Sequence, residues 1–128
     1  MIDILLDTNI LIYSLEGQDK YIEFLNSLGT KRLGISVISY MEVLVGIDKQ
    51  SDVKEGRELL SSFEVYPLDE EIGEAAAMAL SSRKRKNLRD PKFADIMIAQ
   101  TALHLRIPLI TNNAKDFKGF KKLELIVP

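Results

Sequence analysis

Ile4-Leu5-Leu6-Asp7-Thr8-Asn9-Ile10-Leu11-Ile12-Tyr13 is the stretch on which the fold turns. A short apolar run from Ile2 to Leu6 reads as a buried strand, and it stops abruptly at three polar residues, Asp7, Thr8 and Asn9. From Asn9 to Leu15 the apolar residues return at helical spacing, with a stop near Gly17. A strand that passes through a polar turn straight into a helix is half of a βαβ unit. A chain of such units builds a parallel sheet covered by helices on both faces.

The rest of the chain repeats this grammar. Helices are expected at Tyr21 to Leu28 (closed by Gly29), Ser39 to Gly46, Val53 to Phe63, and from the cap Asp69 to about Lys86. Asp90 as N-cap and Pro91 in the first turn mark a further helix that runs to about Leu105. Strands are expected at Leu33 to Ile38, Val65-Tyr66, Leu109 to Thr111 and Leu123 to Val127. The expected fold is α/β, a three-layer α/β/α sandwich with a central parallel sheet. Ligands of such sheets bind beyond the carboxyl ends of the strands.

Composition narrows the chemistry. The 128 residues suit one domain spanning 1–128, with 46% hydrophobic and 28% charged residues. There is no cysteine, which excludes disulfides and thiolate zinc sites. A net charge of -2 provides no overall basic field, so any contact with nucleic acid needs a local patch. Asp3 and Asp7 interrupt the region where a secretory leader would need positive charge and an apolar run. No apolar run has the length of a membrane span. A soluble, cytoplasmic protein without a membrane partner is expected.

Acidic residues recur at the strand–helix junctions. Asp7 follows the first strand and reads either as a metal ligand or as a helix N-cap. Glu42, in Ser36-Val37-Ile38-Ser39-Tyr40-Met41-Glu42-Val43-Leu44-Val45-Gly46, stands three residues after Ser39. That spacing fits a capping box, and a ligand equally. Asp95 lies at the start of a helix whose next face, Ile98, Ala99, Ala102 and Leu103, is apolar, and a carboxylate there gains from the helix dipole. Asn113 and Asp116 follow the strand ending at Thr111, and either is a turn residue or a fourth polar group of a site. Carboxylates gathered on one sheet edge repel one another unless a cation neutralises them. Mg²⁺ or Mn²⁺ suits an all-oxygen donor set and phosphate-ester chemistry.

In this order and in a chain of this length, ILLDTNILIY, SVISYMEVLVG, ADIMIAQTA and LITNNAKDF resemble the PIN-domain ribonucleases, and most nearly the VapC-type toxins of toxin–antitoxin systems. The resemblance covers nearly the whole chain. It implies an endoribonuclease in which Asp7, Glu42, Asp95 and a fourth position hold Mg²⁺ or Mn²⁺ and RNA is hydrolysed by metal-activated water, leaving a 5′-phosphate. The fourth position falls at Asn113 in one pattern, where this chain has an amide, and at Asp116 in another. Thr8, Asn9, Ser39 and Thr111 are expected to orient the carboxylates. The resemblance also implies a homodimer and a cognate antitoxin partner.

Arg83, Lys84, Arg85, Lys86 and Arg89, with Lys92 nearby, form a candidate RNA track or a solvated helix end. Lys115, Lys118, Lys121 and Lys122 form a weaker basic stretch. His104, the single histidine, reads as a packed or surface imidazole rather than a catalytic base. Leu11, Ile12 and Leu15, and likewise Met78 and Leu80, read as core or dimer contacts. Two other readings compete: a catalytically degenerate PIN-like module that binds RNA or protein, and a receiver-like domain. The latter needs a lysine after a late strand, where this chain has Asn112.

Overall fold

The computed structural model describes residues 1–47, 50–84 and 86–128. Five parallel strands, β1 (Ile4–Leu6), β2 (Leu33–Ser36), β3 (Glu64–Tyr66), β4 (Leu109–Ile110) and β5 (Leu125–Ile126), lie in the order β3-β2-β1-β4-β5. β1 is central. The chain winds outward on one side from β1 through β2 to β3, then crosses back to β4 and β5 on the other. The winding therefore reverses between β1 and β4, the place in an open parallel sheet where a crevice forms.

Alternation along β1 divides the core. Ile4 and Leu6 point to one face, where they pack with Ile35, Ile110 and residues of the first four helices: α1 (Thr8–Leu15), α2 (Asp19–Ser27), α3 (Val37–Val45) and α4 (Gln50–Leu60). Leu5 points to the other face, against Ile98, Ala99 and Ala102 of α6 (Phe93–Leu105), with Leu109, Phe117 and Leu123. Ala76 and Leu80 of α5 (Glu70–Ser81) pack on Ile96 behind it. The two clusters on opposite sides of one sheet make the expected three-layer α/β/α sandwich. Strands buried on both faces explain why ILL is continuously apolar rather than alternating.

Several boundaries differ from the sequence reading. The second strand stops at Ser36, not Ile38, because Ser36 takes extended backbone and its hydroxyl accepts from the Ile38 amide, making it the N-cap of α3. Ser39 is thereby inside the helix, and the expected Ser39–Glu42 capping box does not form. The long fifth helix ends at Ser81 rather than near Lys86. The last helix starts at Phe93, because Asp90 closes a separate turn, accepting from the Lys92 amide on Oδ1 and from the Phe93 amide on its carbonyl. α4 begins at Gln50, three residues before Val53, and ends three before Phe63. Of the two apolar sets read as core or contact, Leu11 and Leu80 are buried, whereas Met78 is 68% exposed. Among the described residues no helix is long and apolar enough to cross a membrane.

Candidate active site

Asp7 is 5% exposed at the carboxyl end of β1, and it occupies the N-cap of α1. The N-cap reading of this residue is thereby met. The cap bond is local, with Oδ1 accepting from the adjacent Thr8 amide at 2.8 Å. Oδ2 accepts at 2.8 Å from the hydroxyl of Thr111, which follows β4 across the reversal point of the sheet. Thr111 Oγ1 in turn accepts from the Asn113 amide at 3.0 Å. A chain of donors therefore runs from Asn113 N–H through Thr111 to Asp7, each bond polarising the next. Asn113 contributes its backbone here, so an amide side chain at this position costs the relay nothing.

Glu42 reaches the same region from α3. Thr8 Oγ1 lies 2.7 Å from Glu42 Oε1 and 2.9 Å from Ser39 Oγ. A hydroxyl carries one proton and a carboxylate only accepts. Thr8 therefore donates to Glu42 and accepts from Ser39, which is completely buried. The spacing of Ser39 and Glu42 that mimics a capping box instead puts both on the face of α3 that meets Thr8.

Asp95 stands in the first turn of α6. Burial pushes its carboxyl up to about 6, reinforced by Asp7, opposed by Lys92, and raised again by Asp116 and Glu42. Asp7 is also raised, first by burial. The Thr111 and Thr8 hydrogen bonds pull it back down, and Glu42 and Asp116 push it up. The four acids thus share one electrostatic environment, gathered from the end of β1, the second turn of α3, the first turn of α6 and the 3-10 turn that follows β4. Between the two candidates after Thr111, Asp116 is the one whose charge reaches the others. It sits in the 3-10 turn Ala114–Phe117.

Asp95 and Asp116 line a cleft of about 620 Å³, together with Arg83, Lys92, Gln100 and Lys115. Lys92 Nζ donates to Asp116 Oδ1 at 2.6 Å, with the lysine side chain 41% and the aspartate side chain 23% exposed. Composition points only to a basic neighbourhood here; the pairing spans 24 residues and is legible only in the fold.

The donor set is oxygen throughout, which suits Mg²⁺ or Mn²⁺ and excludes softer ions. Among the described residues no group of three or more histidine, cysteine, aspartate or glutamate side chains is already arranged to hold a metal ion. The fit is one of chemistry: carboxylates that destabilise one another's charge, with a threonine hydroxyl bonded to Asp7 and another to Glu42.

The other expected residues divide. Asn9, half-buried in the first turn of α1, forms no hydrogen bond to these carboxylates among the described residues. Arg83 lines the cleft, and its Nε donates to the buried Asp90 at 2.8 Å. Asp90 is 7% exposed, and a charge at such depth needs a partner. Lys84, Lys86 and Arg89 are exposed on the segment between α5 and α6, and Arg85 lies outside the described residues. His104 faces Asp69 and Glu71 at 3.7 and 3.4 Å, with the Tyr66 ring beside it, at the opposite end of α6 from Asp95.

A family model for the PIN domain matches residues 4–123. A curated relative from Salmonella typhimurium, "tRNA(fMet)-specific endonuclease VapC", is 26% identical over 122 residues, covering 92% of each chain. A "Toxin-antitoxin complex from Klebsiella pneumoniae" contains a chain 31% identical, with a TM-score of 0.78, and the match covers 97% of this chain and 96% of that one. VapBC2 from Rickettsia felis, solved bound to a DNA fragment from its promoter, aligns at 26% identity and a TM-score of 0.78, over 100% of this chain and 99% of that one.

Proposed function

This chain belongs to the PIN-domain family, and from that premise we propose that it is a VapC-type toxin: an endoribonuclease that uses Mg²⁺ or Mn²⁺ to hydrolyse RNA and is held by an antitoxin partner. The observation that carries the reading is the sharing of one electrostatic environment by Asp7, Glu42, Asp95 and Asp116 at the reversal point of the sheet. A cluster of acids of which one is buried is costly to fold and is tolerated where a cation or substrate compensates.

A divalent ion bound there would supply charge neutralisation for the phosphate and acidify a water for attack. The residues of this chain prepare that chemistry. Asp7 and Asp95 are the direct ligands in this reading. Glu42, steadied by Thr8, and Asp116 bind directly or orient water. The Thr111 hydroxyl fixes the rotamer of Asp7. Lys84, Lys86 and Arg89 offer phosphate contacts beside the cleft. The partner follows the solved relatives, described as toxin–antitoxin or VapBC complexes. The substrate class follows the Salmonella enzyme, whose name specifies tRNA(fMet). We assign the protein to the cytoplasm, where such a substrate is found, and to a homodimer of single-domain chains.

A degenerate binding module is the competing reading, and the amide at position 113 is what favours it. Asp116, one 3-10 turn further on, offers a carboxylate in that amide's place. Purified protein incubated with tRNA should cut it in Mg²⁺ or Mn²⁺ and stop on addition of EDTA or on Asp7→Asn substitution. Cleavage that persists in Asp7→Asn would defeat the assignment.

A further inference from the structure

The acid group is lopsided. Asp7 and Glu42 are met by neutral donors, the Thr111 and Thr8 hydroxyls and the Thr8 amide. Asp116 is met by a full positive charge, the Lys92 ammonium at 2.6 Å. Lys92 immediately precedes α6, and the same cleft wall carries Asp95. Lys92 is thus fastened by its backbone to the helix that carries Asp95 and by its ammonium to the turn that carries Asp116. A tethered ammonium with three donors is a compact point charge, able to stand where a hydrated cation would otherwise be drawn.

The geometry points to Lys92 as a built-in counter-ion that occupies the Asp116 side of the cleft and competes with a divalent ion for it. The inference rests on the metal-dependent reading above and deepens it. It makes the Asp7 side of the site the one open to metal and the Asp116 side the one the protein neutralises for itself. Lys92 is a positioning residue in this scheme: it acts through Asp116, holding the 3-10 turn against the start of α6.

Mn²⁺ titration by calorimetry on the full chain, without RNA, tests this. Removing a competing cation by Lys92→Met should tighten Mn²⁺ binding about fivefold, the scale of a partly exposed ion pair. Lys92→Arg, which keeps the charge, should bind as the wild type does. The gain should vanish when Lys92→Met is made in an Asp116→Asn background, because the effect runs through that carboxylate. Unchanged or weaker binding by Lys92→Met, while Asp7→Asn abolishes binding, would overturn the counter-ion role and leave the metal reading standing. Absence of Mn²⁺ binding by the wild type would overturn both.

Discussion

Thr111 Oγ1 donates to Asp7 Oδ2 at 2.8 Å, joining residues 104 apart in the chain across the ends of neighbouring strands. The bond holds a nearly buried carboxylate in one rotamer and favours its charged form. Thr111→Val keeps the shape and deletes the donor. It should raise the Asp7 pKa further and reduce Mn²⁺ affinity and RNA cleavage by about 10- to 100-fold, while Thr111→Ser stays near wild type. Equal activity in the valine variant would remove Thr111 from the site.

The crowded acids make the metal-free protein sensitive to pH. Asp95 titrates at about 6 in the fold against 3.8 in an unperturbed chain. Between those values the folded state keeps a proton that the unfolded state has lost, so stability falls as pH rises. This contribution is complete below about 3.8 and is lost as pH passes 6; Asp7 shifts in the same direction. Thermal melts in EDTA should therefore show a falling Tm from pH 4 to pH 7, and Mn²⁺ should restore more at pH 7.5 than at pH 5. A Tm that climbs over that range in EDTA would contradict the repulsion.

The same reasoning applies to substitution. Asp95→Asn removes a disfavoured charge and should stabilise the metal-free protein at pH 7.5 by on the order of 1–2 kcal/mol, while abolishing cleavage. Differential scanning calorimetry at pH 7.5 and pH 4 checks it, since the gain should shrink at the lower pH.

Thr8 carries two roles in one hydroxyl. Thr8→Val leaves the buried Ser39 hydroxyl without its partner and Glu42 without its anchor. Urea unfolding should register a loss of about 1–3 kcal/mol, and cleavage should fall as well. Thr8→Ser should recover most of both.

The basic segment should separate by function. Lys86→Gln and Arg89→Gln, at exposed positions, should weaken RNA binding and flatten its salt dependence without changing Tm. Arg83→Gln removes a strong partner of the buried Asp90 and should instead lower stability, by about 1–2 kcal/mol. A change in the salt slope for Arg83→Gln with no change in Tm would reverse this division.

Much of this was written in the chain order. The strand–polar–helix transition at Leu6 to Ile10 carries its own physics: a strand buried on both faces is continuously apolar, and the carboxylate that ends it stands where a helix amide and a hydroxyl can meet it. The layers, the parallel sheet and the placing of Asp7 and Asp95 at strand end and helix start follow from such local patterns. Ser39 shows where local pattern fails. Ser36 and Ser39 both suit a cap, and only the pairing of β2 with β1 and β3 fixes where the strand stops.

What the linear sequence determined, then, is periodicity and chemistry: which residues are apolar, which are acidic, and at which junctions they fall. The tertiary structure alone decided who meets whom. It put Thr111 on Asp7, Thr8 between Ser39 and Glu42, Arg83 on Asp90 and Lys92 on Asp116. Hydrogen bonds and ion pairs act over about 3 Å, and separation along a chain says nothing of that distance until the sheet has closed it.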